Sequence, residues 1–444
     1  MSKLALLGGE KTIKNDVPEE MFHWPIVNQA MKDAVTSVLE DGNMSGLDIS
    51  KEFEAGFAKW HGAKYGLAHS CGTAALHAAM YGVGLGVGDE LICPSVTYWA
   101  SCTQALNLGA SVVFADIEPD SLCLDPDDFE RKITERTKAV VVVHYLSHPA
   151  DMDRIMEIAK KHGIKVIEDC SHSHGTRYKG KLTGTIGDVA GFSCMSGKSF
   201  AIGEGGIMLT DDREIYERAI LFGQYARHGE IENEDLKQRI FLPNGGFKYR
   251  MHQMSAAVGL EQLKKYEAEM NEIDKAFTYF WDQLEEVPGI HAHRPPKDSG
   301  STKGGWYIPV GLYDSDAFEG LSCVRFCEAV AAEGMPQVTS GVNSPLHRHP
   351  LFNTIDVYNH GNLTNSANLP EGVTNCEDKK DLPVSSNLYK RIFQLPYMKH
   401  FDKSLIDKYV RAIKKVCANY KELLNDDTGN SSVKASWNLT KRKG

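Results

Sequence analysis

Short apolar runs alternate with longer stretches of helical periodicity between about residues 60 and 210. The runs are β-branched or apolar on both faces, a pattern typical of strands buried in a parallel sheet. They are Tyr65–Ser70, Asp89–Pro94, Ser111–Asp116, Lys138–His144, Ile164–Asp169, Val189–Cys194 and Gly206–Thr210. Helical stretches between them include Gly72–Val83, Thr97–Leu108 and Ala150–His162. This alternation predicts an α/β fold with a mostly parallel seven-stranded sheet between helices.

The pattern changes after about residue 275. Residues 211–275 have helical periodicity, and Ala256–Ala268 is strongly amphipathic. The later segments are a loop at 291–305, a strand near Trp306–Leu312, a helix near Leu321–Glu333, a long polar loop at 351–383 and a helix near Ser404–Leu424. We therefore expect a large domain at 1–275, a smaller α+β domain at 276–425, and a disordered polar tail at 426–444.

The composition narrows the class of protein. The 444 residues are 42% hydrophobic and 24% charged, with a formal net charge of -10. An acidic chain is a poor partner for nucleic acid or for an anionic membrane. We expect no signal peptide, the sequence contains no apolar stretch of about 18 residues, and its ten cysteines form no C-x-x-C pair. We expect a cytoplasmic protein with reduced thiols.

Polar residues follow most of the predicted strands. In an α/β sheet, ligands bind beyond the carboxyl ends of the parallel strands. The residues at those ends are Ser70, Pro94, Asp116, His144, Asp169 and Ser193. A purely structural core has no need of so many polar side chains at one edge, so this edge is the predicted site.

The stretch around Lys198 superficially resembles a phosphate-binding P-loop, because Gly197-Lys198-Ser199 matches its last residues. A P-loop has four residues between its glycines, whereas five separate Gly191 from Gly197. The stretch also follows a late strand of the sheet. The glycine-rich run 82–88 departs from dinucleotide-binding spacing and follows a helix. An NTPase is therefore disfavoured.

The same edge carries the groups that pyridoxal phosphate (PLP) needs. That cofactor requires a lysine for its aldehyde, a carboxylate facing its pyridine nitrogen, an aromatic ring against its own ring, and N–H groups for its phosphate. Lys198 and Asp169 can fill the first two roles, and Tyr98 or Trp99 the third. Taken singly, each residue is more often structural or solvated. Their conjunction at one edge favours PLP.

The phosphate has its own candidates. Gly72 and Thr73 open a helix directly after the first strand, and Ser193 can add a hydroxyl. A metal site is the remaining alternative, because His172-x-His174 and His347-x-His349 could each supply ligands. No cysteine or carboxylate cluster completes either pair, so we predict no metal.

Many spaced motifs of the chain are shared with one known family. They are His69-Ser-Cys-Gly-Thr-Ala-Ala-Leu76, Pro94-Ser-Val-Thr-Tyr-Trp-Ala100, Phe114-Ala-Asp-Ile117, Pro149-Ala-Asp-Met152, Glu168-Asp-Cys-Ser-His-Ser-His-Gly175, Gly203-Glu-Gly-Gly206, Gly246-Phe-Lys-Tyr-Arg-Met-His252 and Pro345-Leu-His-Arg-His-Pro-Leu-Phe352. Over roughly residues 5–420 the chain resembles the DegT/DnrJ/EryC1/StrS family of fold-type I PLP-dependent aminotransferases, which act on sugars and cyclitols.

The resemblance implies roles for the ring-binding residues. Lys198 would bind the cofactor aldehyde and shuttle the proton, and Asp169 would pair with the pyridine nitrogen. Tyr98 would stack on the ring, and His172 stands where the family has Gln or His near the ring hydroxyl.

The resemblance also implies a phosphate site and a homodimer. Gly72, Thr73 and Ser193 would hold the phosphate within one subunit. A loop of the partner subunit usually brings an asparagine to the phosphate, and Lys248 takes that place here. The run before the catalytic lysine also departs from the family pattern, which bears on the substrate.

The implied activity is transfer of an amino group from glutamate or glutamine to a keto-sugar or keto-cyclitol. One alternative is the sugar dehydratase branch of the same fold, which uses pyridoxamine phosphate. Its members typically have His in place of the lysine, so Lys198 argues against it. A regulatory protein on this scaffold is the other alternative, but it would have little reason to keep Lys198, Asp169 and the Gly72-Thr73 pair together.

Overall fold

The computed structural model describes residues 3–14, 17–240, 246–359, 361–371, 373 and 382–429. Its strands are β1 (Tyr65–His69), β2 (Glu90–Pro94), β3 (Ser111–Ala115), β4 (Thr137–Val143), β5 (Lys165–Asp169), β6 (Arg177–Tyr178), β7 (Lys181–Leu182), β8 (Val189–Ser193), β9 (Gly206–Thr210), β10 (Ile290–Ala292), β11 (Val310–Tyr313), β12 (Thr339–Ser340) and β13 (Ile392–Gln394).

The helices connect and cover these strands. They are α1 (Gln29–Glu40), α2 (Asp48–His61), α3 (Gly72–Gly82), α4 (Gln104–Asn107), α5 (Pro126–Arg131), α6 (Met152–His162), α7 (Arg213–Gly223), α8 (Glu234–Lys237), α9 (Gln253–Asp282), α10 (Cys323–Ala332), α11 (Pro350–Asn353), α12 (Pro383–Asn387) and α13 (Lys403–Ala418). In the described part of the chain, none of them is both long and apolar enough to cross a membrane.

The main sheet has seven strands in the order β1-β9-β8-β5-β4-β2-β3. Strand β9 is antiparallel to both of its neighbours, and the other pairings are parallel. The predicted α/β fold is confirmed, and each of the seven strands predicted for this sheet lies within one residue of its observed bounds. Strand β4 shows why, because its residues 139–143 form a fully buried Ala-Val-Val-Val-Val run.

One predicted helix of this region is wrong. The segment Thr97–Leu108 forms a single 3-10 turn at Trp99–Ser101 and the short helix α4 rather than one continuous helix. The hydroxyl groups of Thr97 and Ser101 bond to each other at 2.8 Å. This bond ties the two ends of the turn together through their side chains.

The residues after α9 form a second layer with its own core. An antiparallel sheet in the order β10-β11-β13-β12 packs with α10 and α13. Helix α9 runs without interruption through residue 275, where we expected the domain division, and its last turns lie in this second core. Strand β10 lies in a segment expected to be a loop, and α13 ends at Ala418, earlier than expected. Of the expected tail, residues 430–444 lie outside the described residues.

Candidate active site

The N-terminus of α3 touches the carboxyl end of β8. A Cβ atom added to Gly72 would lie 2.5 Å from the Cβ of Ser193 and 2.7 Å from its Cα. Only glycine fits this close approach, so the helix begins directly against the strand end. The amides of Gly72 and Thr73 belong to the first helical turn, which has no acceptor inside the helix. Together with the helix dipole they make this corner suitable for an anion.

Asp169 lies at the end of β5, next to the end of β8, because it pairs in register with Gly191. Its carboxyl group is buried, with 4% of the residue exposed. One oxygen accepts from the Ser101 hydroxyl at 2.6 Å and the other from the Ser171 amide at 3.0 Å. The carboxylate is therefore held in one orientation. Sequence reasoning missed Ser101, although it directly follows the motif that contains Tyr98.

Lys198 lies in the loop after β8 and is 8% exposed. Burial lowers the pKa of its amine to about 8, and the nearby charge of Asp169 partly opposes this effect. The Nζ atom lies 4.3 Å from the centroid of the Tyr307 ring. The backbone is fixed on both sides, because the amide of residue 198 donates to Met195 at 2.9 Å and its carbonyl accepts from the Trp24 indole at 2.8 Å.

Tyr307 joins the predicted residue His172 to this lysine. The two rings lie 4.5 Å apart, and the Ser147 hydroxyl donates to the His172 carbonyl at 2.5 Å while accepting from the Tyr307 amide at 2.8 Å. Ser147, Trp306 and Ile308 all have left-handed backbones, with φ of 67°, 50° and 46°. Such conformations cost about 1–3 kcal/mol each and cluster at functional sites.

A model of the DegT/DnrJ/EryC1/StrS aminotransferase family matches residues 25–377. The chain belongs to this family. It is 33% identical to a putative L-glutamine:3-amino-2,3-dideoxy-scyllo-inosose aminotransferase of Micromonospora echinospora, over 79% of this chain and 82% of that one. It is also 33% identical to GDP-perosamine synthase of Caulobacter vibrioides, over 68% of this chain and 78% of that one. The sequence resemblance and the aminotransferase prediction are thus confirmed.

A solved structure agrees with the fold. The aminotransferase from Psychrobacter cryohalolentis superposes with a TM-score of 0.75 at 28% identity, covering 89% of this chain and 98% of that one. The likeness therefore extends over both the main sheet and the smaller domain.

Within the described part of this aminotransferase, three lysines are buried and have a pKa that is lowered mainly by burial. The pKa is about 8 for Lys198, about 7 for Lys303 and about 6 for Lys399. Lys303 donates to the carbonyl of His293 at 2.8 Å, on the side of β10. A low pKa alone therefore does not select the reactive lysine. Of the three, Lys198 is the one whose amine is affected by the charge of Asp169.

His172 is buried close enough to Lys198 for the charge of the lysine to affect its pKa. Burial, and then the positive charge of Lys198, hold the pKa of His172 well below its usual range. The imidazole is therefore neutral at physiological pH, and its Nδ1 accepts from the amide of Leu146 at 3.4 Å. This leaves a neutral ring, rather than a second cation, next to the amine.

Tyr98 and Lys248 lie on flanking loops of the aminotransferase. Tyr98 is 44% exposed, and its ring lies 4.7 Å from that of Trp99, on the loop that supplies Ser101 to the site. Lys248 is exposed and precedes Tyr249, whose carbonyl accepts from the Ser70 amide at the end of β1. The structure thus brings Lys198, Asp169 and His172 together, while these two residues lie at the periphery.

Among the described residues, one buried group has the composition of a metal site: His144, Glu168 and Cys170. The Glu168 carboxylate already accepts from the His144 ring at 2.9 Å. It also accepts three backbone amides of the loop after β7, each at 2.7 Å. These four bonds use its lone pairs, so the group is a structural tie between β4, β5 and that loop.

Proposed function

We propose that this aminotransferase depends on pyridoxal phosphate and moves an amino group from glutamate or glutamine to a keto-sugar or keto-cyclitol. The observation that carries the proposal is the buried amine of Lys198, whose pKa is about 8 and which lies near a carboxylate fixed by two hydrogen bonds. An amine of this pKa is partly unprotonated at neutral pH, as a nucleophile toward an aldehyde must be.

The donor set fits the cofactor. Lys198 would hold the aldehyde carbon, Asp169 would face the pyridine nitrogen, and the first amides of α3 would receive the phosphate together with Ser193. Gly72 supports this assignment, because any side chain there would fill the corner between α3 and β8. When bound, the cofactor supplies an electron-accepting ring that stabilises negative charge at the substrate carbon.

The side chains then handle protons and water. The Lys198 amine, with a pKa of about 8, is suited to take a proton from the substrate carbon and return it one position away. Asp169 keeps its orientation through Ser101. The rings of Tyr307 and His172 form a wall beside the amine that excludes water, and the neutral His172 adds no charge that would compete with the lysine.

The names of the relatives support the substrates, and exposed residues beside the site support the assembly. The name of the Micromonospora relative supports glutamine as donor and a cyclitol as acceptor, whereas that of the Caulobacter relative supports a sugar. A homodimer with shared sites is supported by the exposed positions of Tyr98, Trp99 and Lys248 beside the site. Lys248 would serve the partner's phosphate as a point charge. A cytoplasmic location remains our expectation from the sequence.

The test is a pair of half-reactions with the protein loaded with PLP. Addition of glutamine or glutamate should bleach the visible band and release one equivalent of the matching 2-oxo acid. Addition of a keto-cyclitol or a nucleotide-linked keto-sugar should then restore the band. Asp169→Asn, which keeps the shape of the side chain, should slow both halves. The proposal fails if neither donor alters the spectrum of a protein that does bind the cofactor.

A further inference from the structure

Residues 3–14 and 17–26, which we call the arm, are anchored on the smaller domain. Its residue Ile13 is buried in the core of that domain. The buried carboxylate of Glu333 in turn accepts from the amides of Ala5 at 2.8 Å and Thr12 at 2.9 Å, and pairs with Lys415 at 2.8 Å. The first part of the arm therefore moves with the smaller domain.

The arm then reaches the reactive lysine. The indole N–H of Trp24 donates to the backbone carbonyl of Lys198 at 2.8 Å. This bond joins residues that are 174 positions apart in the chain, and it fixes the carbonyl of the very residue whose amine would bind the cofactor. Trp24 is thus a connection from the arm to the backbone of Lys198, in addition to the contact of Tyr307 with its amine.

Contacts on both sides hold Trp24 in place. Before it, the carbonyl of Met21 accepts from the amide of Lys399 at 3.1 Å. After it, the carbonyl of Ile26 accepts from the amine of Lys265 on α9. The Nζ atom of Lys399 also lies 4.3 Å from the centroid of the indole. These contacts hold the indole in one position, and its N–H donates to the carbonyl of Lys198.

We propose that Trp24 is a positioning residue for Lys198: its hydrogen bond to the lysine carbonyl holds the amine against Tyr307 and near Asp169. The inference rests on the proposed function of Lys198. Because the loop after β8 contacts Trp24 through this bond, a change in the arm changes the site without touching any substrate. Trp24 itself contacts the backbone of the lysine rather than its reacting atom.

The test compares Trp24→Phe, which removes the N–H and keeps an aromatic ring, with Trp281→Phe as a matched control. The indole nitrogen of Trp281 is buried and makes no hydrogen bond within the described residues, so the control loses no such bond. Thermal unfolding of both variants checks that they fold.

The main readout uses the cofactor-free protein. Acetic anhydride in trace amounts labels the Lys198 amine, and mass spectrometry follows the labelling against pH. In Trp24→Phe the loop should relax and admit water, so the midpoint should move up from about 8 toward 10.5. Trp281→Phe should keep the wild-type curve. In the loaded enzyme, kcat should fall about tenfold in Trp24→Phe while KM changes less than twofold.

Identical labelling curves for Trp24→Phe and wild type would overturn the proposal, and so would an equal shift in Trp281→Phe. This failure is distinct from failure of the proposed function. If no cofactor adduct forms on Lys198 in the wild type, the proposed function fails. The labelling curves still decide whether Trp24 influences the pKa of the Lys198 amine.

Discussion

Lys198 should titrate far below an ordinary lysine when the cofactor has been removed. The amine is buried between the loop after β8 and the Tyr307 ring, and burial disfavours its charged form. Its pKa is accordingly lowered from 10.5 to about 8. Asp169 limits this shift, because a nearby negative charge stabilises the ammonium form. The reactivity of the amine should therefore rise as the pH passes through about 8.

The expected effect is large. At pH 8, an amine with a pKa of 10.5 is about 0.3% unprotonated, whereas one with a pKa of about 8 is about half unprotonated. At equal accessibility and equal nucleophilicity of the free amines, Lys198 should then react roughly 150-fold faster than an ordinary lysine at that pH. The same shift corresponds to about 3 kcal/mol in the free energy of protonation.

The assay is competitive trace labelling between pH 6 and 11, with free Nα-acetyl-lysine in the same tube as reference. The Lys198 peptide is quantified by mass spectrometry, and its labelling relative to the reference gives the midpoint. Asp169→Asn removes the charge that opposes the shift and should lower the midpoint below 8. A wild-type midpoint near 10.5, or an unchanged midpoint in Asp169→Asn, would refute this account of the amine.

Other predictions test the supports of the site. Ser101→Ala removes the donor to Asp169 and should weaken cofactor binding about tenfold in an equilibrium titration; unchanged affinity would contradict it. Gly72→Ala should weaken cofactor binding at least as much, because the methyl group would meet the end of β8 at 2.5 Å. Gly229→Ala, where no atom lies within 4 Å, is its control and should bind normally. Glu333→Gln should lower the free energy of unfolding, measured in urea, by about 3 kcal/mol, since it leaves the charge of Lys415 without its partner. A change under about 0.5 kcal/mol would contradict this.

Much of the main sheet could be predicted from the sequence, because buried parallel strands are continuous apolar runs. Strand β4 shows this directly, and the position of Asp169 followed from the shorter apolar pair that precedes it in β5. The role of Lys198 was harder to predict, since a Gly-Lys-Ser tripeptide occurs in phosphate-binding P-loops and is also compatible with a lysine that binds PLP. The spacing of the glycines excluded the P-loop, and the presence of Asp169 and the Gly72-Thr73 pair at the same sheet edge favoured PLP.

The rest of the site depends on contacts between distant segments. Trp24 comes from the arm, and Tyr307 from a connection in the smaller domain, and neither stands in a motif that announces a role. The left-handed backbone at Ile308 could not be predicted, because a β-branched residue rarely adopts it. Ser101 lay inside a segment predicted as one helix, so its hydrogen bond to Asp169 was not foreseen.

The most direct test of the central claim is to map the lysine that binds the cofactor. The purified protein is incubated with PLP, reduced with borohydride, digested, and searched for a pyridoxyl-lysine peptide, with Lys198→Ala as comparison. The account predicts a visible band that borohydride bleaches, with the adduct on Lys198 in the wild type and none in the variant. An adduct on Lys303 or Lys399, the other buried lysines of low pKa, or no adduct at all, would contradict it.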